Sequence, residues 1–549
     1  MLFSQDTSTW QVDGSGTWNV PGNWGNGIVP QHVDDVAIFG NSNTQPNPTI
    51  GLGQPITIGT LDIDNPNLLI FQDSNALTFQ TTSGNAQLNL TSINGGGQLL
   101  LALPTILNSN LAISVDTGAG GTINNVISGA GGITITGLGG IIFSSNTGNT
   151  YTGTTTISGG NLFIDTNAQC LQDVVVENGG SLTFDNTSSV KSLNIISGTV
   201  TGSIIFPNGG NVLTMGGQTL NGNFSFTDAG GATITYNPSP GATAVITGGD
   251  LNVMPDATYT FNIGSGGGTP SVPDMELNVD FLPPVNSSAT FVKTGLGVLL
   301  YDPGSVSGNN AGPTTVNQGT LVVNTQAEAG VPGDLIITGG TLLCGGADQI
   351  SHASNVTLSS GTLDFGGFAQ TIGSFTFQSG TFSQGGNPLV LTSTSSALTM
   401  RNTSISGPVQ LVGDIAFDAT NGGTATLSGP LNINTTAGAV TRTFTIGGSS
   451  ANGMTINNVI SNTGSTGIVK AGTGTLTFAG AGPNTYTGAS TAVNAGTLAL
   501  NVTTGPAVPS TAVMISSGAT IDVQGINQLN ANAAVTVNGT LNLNGHNTT

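Results

Sequence analysis

Few side chains in this 549-residue sequence can do chemistry, because it holds only 26 Asp or Glu and 5 Lys or Arg. Five acids, Asp250, Asp256, Asp274, Glu276 and Asp280, fall in one Pro-rich stretch. Gathered carboxylates are what a glycoside-cleaving site or a Ca2+ site requires, usually with a basic partner. The seven prolines here should interrupt a regular coil and project a loop, the first choice for partner contact, against the plainer reading of an inert insertion. Asp62 and Asp64 share one strand face by period two, and Asp364 holds another outward position, without a basic neighbour in sequence. All three tryptophans, Trp10, Trp18 and Trp24, lie near His32, Asp34 and Asp35. That set would suit an aromatic sugar platform or a metal site. It is equally what covers the open apolar end of a repeating structure, and we assign it to an N-terminal cap. Lys293 and Lys470 occupy the same place in a repeat. They are candidates for holding an acidic partner, against the plainer reading of solvated turn residues that relieve local negative charge.

No catalytic residue, cofactor site or metal site is assigned. The formal net charge of −21 argues against nucleic-acid and anionic-membrane binding, which need clustered cations. The Gly-Leu-Gly at 295–297 is not followed by the helix that phosphate binding needs, and calcium-binding nonapeptides are absent. No run approaches the roughly 18 apolar residues of a membrane helix, so no direct membrane insertion is expected. The first residues lack the pattern of a secretion signal. Cys170 and Cys344 fit no metal or redox spacing. Roughly eight coils of the fold described next would separate them, so both are expected as free thiols.

Positioning falls to short strands. Apolar and polar residues alternate over three to six positions, a Gly, Asn or Pro turn intervenes, and the pattern restarts, as in "DLIITGGTLLC" at 334–344 and "AVTVNGTLNL" at 534–543. No dozen-residue window has a convincing helical period. Reuse of one formula every few tens of residues indicates a solenoid whose coils cover each other's apolar faces. The expected fold is all-β, a right-handed parallel β-helix with a Trp-rich cap and an irregular Pro-rich insertion near the middle. Its parts are a cap at 1–50, coils at 51–237, the insertion at 238–290 and coils at 291–549. The insertion is expected because Pro cannot donate to a central ladder.

A longer repeat occurs at 135–164, 292–323 and 469–500. Gly137 and Gly139, Gly295 and Gly297, and Gly472 and Gly474 correspond, and Phe143, Tyr301 and Phe478 follow them. The first and third copies share Asn-Thr-Tyr-Thr-Gly. This resembles the autotransporter-associated β-strand repeat, of the form K-x-G-x-G-T-L-x-L-x-G-x-N-T-Y-T-G-x-T-x-V-x-x-G-T-L. The third copy follows it closely, the first lacks the Lys, and the second loses Asn-Thr-Tyr-Thr-Gly. The Trp-rich opening resembles the segment that often precedes such repeats. The resemblance implies a β-helical passenger region on the bacterial outer surface or secreted, serving adhesion, aggregation or surface structure.

The expected function is therefore non-enzymatic, with many weak contacts along a polar flank. Expected partners are further copies of the chain, meeting laterally or end to end in filaments or layers, and glycans or proteins of host or neighbouring cells. The rival is a glycan-active enzyme or a phage tailspike-like protein, whose β-helices carry clustered acids. The chain is expected to continue beyond Thr549 or to have that end covered by a partner.

Overall fold

In the computed structural model, residues 5–547 are described apart from 42–43, 93–96, 146, 166–169, 240, 283–287, 305–311, 327–329, 418–422, 435–437 and 449–452. The chain forms two compact units, Met1–Pro284 and Val285–Thr549, and each is a parallel β-solenoid. Among the described residues the only helical segment is a single 3-10 turn, Pro21–Asn23. No helix is long and apolar enough to cross a membrane.

Alternation produces the stacking directly. In the first unit, Leu61, Leu88, Ile113, Ile135, Ile157, Val176, Ile195, Met215, Tyr236 and Ile263 are successive partners in parallel register. Every one of them is buried. One position along, the alternate column reads Thr134, Thr156, Val175, Asn194, Thr214, Thr235 and Asn262, of which only Thr214 is buried. A one-residue slip would exchange the two columns, so burial of the first fixes the register. The second unit repeats the arrangement with Val316, Ile337, Leu358, Phe377, Met400, Phe417 and Ile446 inward. Threonines follow the turns in outward rows, for example Thr475, Thr497, Thr520 and Thr540.

The Pro-rich segment differs from the expected insertion. Strands Ala244–Asn252, Thr258–Ile263 and Met275–Leu282 run through it, each in parallel register with a neighbour. The reason lies in where the prolines fall. Pro238, Pro255, Pro270 and Pro273 all stand outside these strands, so no ladder donor is missing. Pro240, Pro283 and Pro284 lie outside the described residues.

Cys344 is a free, buried thiol in the second unit. Burial pushes its pKa up, and nearby Asp364 adds to this. The side chain of Cys170 lies outside the described residues.

Candidate functional surface

The repeat lysines are not surface residues, which corrects their reading as solvated turn or partner-contact positions. Lys293 and Lys470 are both fully buried. Each follows an inward residue by two along its strand, Phe291 and Ile468, so alternation carries the lysine inward too. Each is stacked in register on an apolar neighbour, Val316 and Val493. The ammonium groups end on backbone oxygen. Lys293 Nζ donates to the carbonyls of Thr294 (2.8 Å), Gly295 (2.8 Å) and Gln318 (3.2 Å). Lys470 Nζ donates to those of Ala471 (2.9 Å), Gly472 (2.7 Å) and Ala495 (2.9 Å). The lysine thus ties its own glycine turn to the turn of the next coil. Gly295 (φ 71°) and Gly472 (φ 78°) take the left-handed conformation that turns their carbonyls back. Burial pushes the Lys470 pKa down to about 8. The first copy places Ile135, fully buried, at this position.

The Asn-Thr-Tyr-Thr-Gly segment is also internal. Asn149 Oδ1 accepts from Ile127 N at 2.8 Å, and Asn484 Oδ1 accepts from Ile460 N at 2.8 Å. Tyr151 and Tyr486 are buried, with their hydroxyls bonded to Thr155 and Thr491. Burial pushes Tyr486 up to about 12, against the pull of its bonds to Thr491 and Ser510. A Cβ on Gly153 or Gly488 would collide with backbone of the preceding coil, at Gly132 and Thr466 respectively. Sequence reasoning saw these motifs as signatures; alternation was the signal that they point inward.

The tryptophans form one buried cluster. Trp10 and Trp18 each approach Trp24 edge-on, at 5.3 and 5.1 Å, and all three pack on Phe39. Their indole N–H groups donate to the carbonyls of Val12, Pro30 and Trp18. No ring face is left for a ligand. Buried Asp35 accepts from the backbone of Asp6, Gln31 and His32, which closes the loop between the cluster and the first coils.

The five acids do not form one site. Asp274 is buried and accepts from Gly266 N and Gly268 N, so it builds a turn. Glu276 accepts from Asn278 Nδ2 on its own strand. Asp256 stands exposed at a left-handed turn position (φ 57°). Only Asp250 and Asp280 are brought together, as register partners on adjacent strands, with Asp280 buried. Among the described residues no three His, Cys, Asp or Glu side chains are placed to hold a metal ion.

The surface displays hydroxyl and amide groups, isolated apolar points and most of the carboxylates, since among the described acids only Asp35, Asp274 and Asp280 are buried. Arg442 is buried with Nε on the carbonyl of Ile433, so three of the five basic residues are internal. Lys191 pairs on the surface with Asp173 at 3.0 Å. Leu138 and Leu296, each at 74% exposure, stand at the apex of equivalent Gly-Leu-Gly turns; in the third copy that place is Thr473. A shallow groove of about 330 Å³ runs past Pro313, Pro332, Gly333, Asp334, Ala353 and Ser354.

The model of the passenger-associated-transport-repeat family matches residues 291–323 and 468–500, the second and third copies. The chain is similar to the adhesin BmaC autotransporter of Brucella suis biovar 1, at 28% identity over 383 residues. That alignment takes in 66% of this chain and 9% of the relative, so the chain spans a small part of the relative's length. No solved structure matches the chain.

Proposed function

Starting from a β-solenoid of the autotransporter passenger family, we propose that this chain is a non-enzymatic adhesin-like segment, displayed on the bacterial surface or secreted. Its side faces would make the contacts. The observation that carries this reading is where the polar chemistry is used. The repeat lysines, asparagines and tyrosines are all turned inward to hold coils together, while threonine and asparagine columns face outward. Similarity to an autotransporter adhesin supports the same reading.

Contact would be made by many weak uncharged interactions, which suits glycan and protein surfaces of host or neighbouring cells. Copies of the chain would also meet laterally or end to end in filaments or layers once salt screens the like charge of −21 that each carries. The test is adhesion of beads coated with the purified chain to cultured animal cells and to one another. Binding above uncoated beads is expected, with contact between coated beads strengthening as salt rises from 0.05 to about 0.5 M and screens their like charge. Beads that bind neither cells nor each other would remove the adhesive reading.

A further inference from the structure

We propose that the groove formed by Pro313, Pro332, Gly333, Asp334, Ala353 and Ser354 is a binding site for one uncharged sugar unit of a glycan; this rests on the adhesin reading and names the chemistry of its contact. The groove follows a corner through three successive coils, about 10 Å at the strand spacing of a parallel sheet, which is the scale of one or two sugar rings. Its volume of about 330 Å³ lies at the lower end of small-ligand sites.

Its walls are fixed. Pro313 O accepts from Phe291 N at 3.0 Å and Asp334 O accepts from Thr314 N at 2.8 Å, so backbone on both sides belongs to the coil ladder. Ser354, buried, holds the carbonyl of Gly333 with its hydroxyl. The lining divides as sugar recognition requires. The Pro313 and Pro332 rings and the Ala353 methyl offer apolar surface to the C–H face of a ring. Asp334 offers a carboxylate to a pair of hydroxyls.

That carboxylate is pre-oriented. Its Oδ1 accepts from Asn355 N (2.9 Å) and Asn355 Nδ2 (3.1 Å), and Asn355 Oδ1 accepts from Ser374 Oγ at 2.7 Å. One polar chain therefore runs across three coils and sets the acceptor at the rim. Among the described residues no basic side chain lines the groove, so an acidic sugar would meet a carboxylate without a counter-charge.

The test titrates the full chain with methyl glycosides of glucose, galactose, mannose and N-acetylglucosamine, and with sialic acid, by saturation-transfer NMR. At least one neutral glycoside should bind in the millimolar range, with sialic acid silent. Asp334→Asn keeps the acceptor for Asn355 but loses the charge, and should weaken binding about tenfold. Ala353→Trp, at an exposed position, should fill the groove and abolish binding with the thermal midpoint unchanged. Silence of all four neutral glycosides, or binding indifferent to both variants, would overturn the proposal. Bead adhesion separates the two readings. Adhesion without glycoside binding sinks the groove alone, and glycoside binding without adhesion sinks the adhesin reading alone.

Discussion

The ammonium of Lys470 donates to the backbone carbonyl of Ala495, 25 residues further on, at 2.9 Å. One side chain thereby joins a turn to its counterpart in the next coil. Lys293 makes the same connection to Gln318. Parallel strands already hydrogen-bond coil to coil along the sheets; the lysine adds a bond at the corner, where the ladder is interrupted.

Replacing Lys470 by Met should destabilise the second unit by about 1–3 kcal/mol. Three carbonyls lose their donor, each a group that is costly to bury unpaired. Loss of a buried charge works the other way and keeps the net effect in that range. Lys470→Ala should cost more, because it also empties the space of the stem above Val493. Hydrogen exchange should quicken at residues 471–474 and 495–497 first. Unchanged exchange there would contradict the tie.

Stability of the second unit should rise as pH climbs past 8. Lys470, lowered to about 8 in the fold from 10.5, favours the folded state above its unfolded value, and that contribution is lost as pH falls through about 8. Thermal midpoints should thus climb between pH 8 and 9, above which the buried Cys344 thiol, raised from 9.0, begins to act against the gain. Tyr486, raised to about 12 from 10.0, acts oppositely: its stabilisation is present below pH 10 and disappears as pH rises toward 12. Lys470→Met should flatten the climb, and Tyr486→Phe should soften the fall. A climb that persists in Lys470→Met would assign it to another group.

Asn484→Ala should cost about 2–4 kcal/mol, since it removes the bonds to Ile460 N and Ala507 O inside the corner. Gly488→Ala should cost about 3 kcal/mol or more, because the added Cβ meets the carbonyl of Thr466 with no flexible side chain to give way. Urea titrations of each variant against the unaltered chain would measure both. A neutral Gly488→Ala would mean that the coils can separate locally at no cost.

The ladder was legible in the sequence wherever apolar residues alternate, as in "TLDI" at 60–63, because period two leaves a strand only one way to bury its apolar set. The two lysines were misread for a physical reason: charge suggests solvent, yet the strand phase set by Phe291 and Ile468 had already turned them inward. Proline density misled in the same manner around 238–284. Prolines count against a ladder only inside strands, and the described ones fall in turns. The groove at Asp334 could not be read at all, since its lining comes from coils about 20 residues apart whose corners align only after folding.

Tryptophan fluorescence should report on the first coils alone. All three tryptophans fall within the first 24 residues and are buried around Phe39 and Phe71. In a solenoid each coil is supported by its neighbours only, so the coils around this cluster can open apart from those farther along. The emission of the folded chain should be blue-shifted and resistant to iodide. In a urea titration the red shift and the loss of the far-ultraviolet strand signal should separate, and Trp18→Ala, a loss of about 3–5 kcal/mol of packing, should move the fluorescence transition far more than the dichroism one. Coincident transitions for both probes in both proteins would instead require the first coils to unfold together with the rest of their unit.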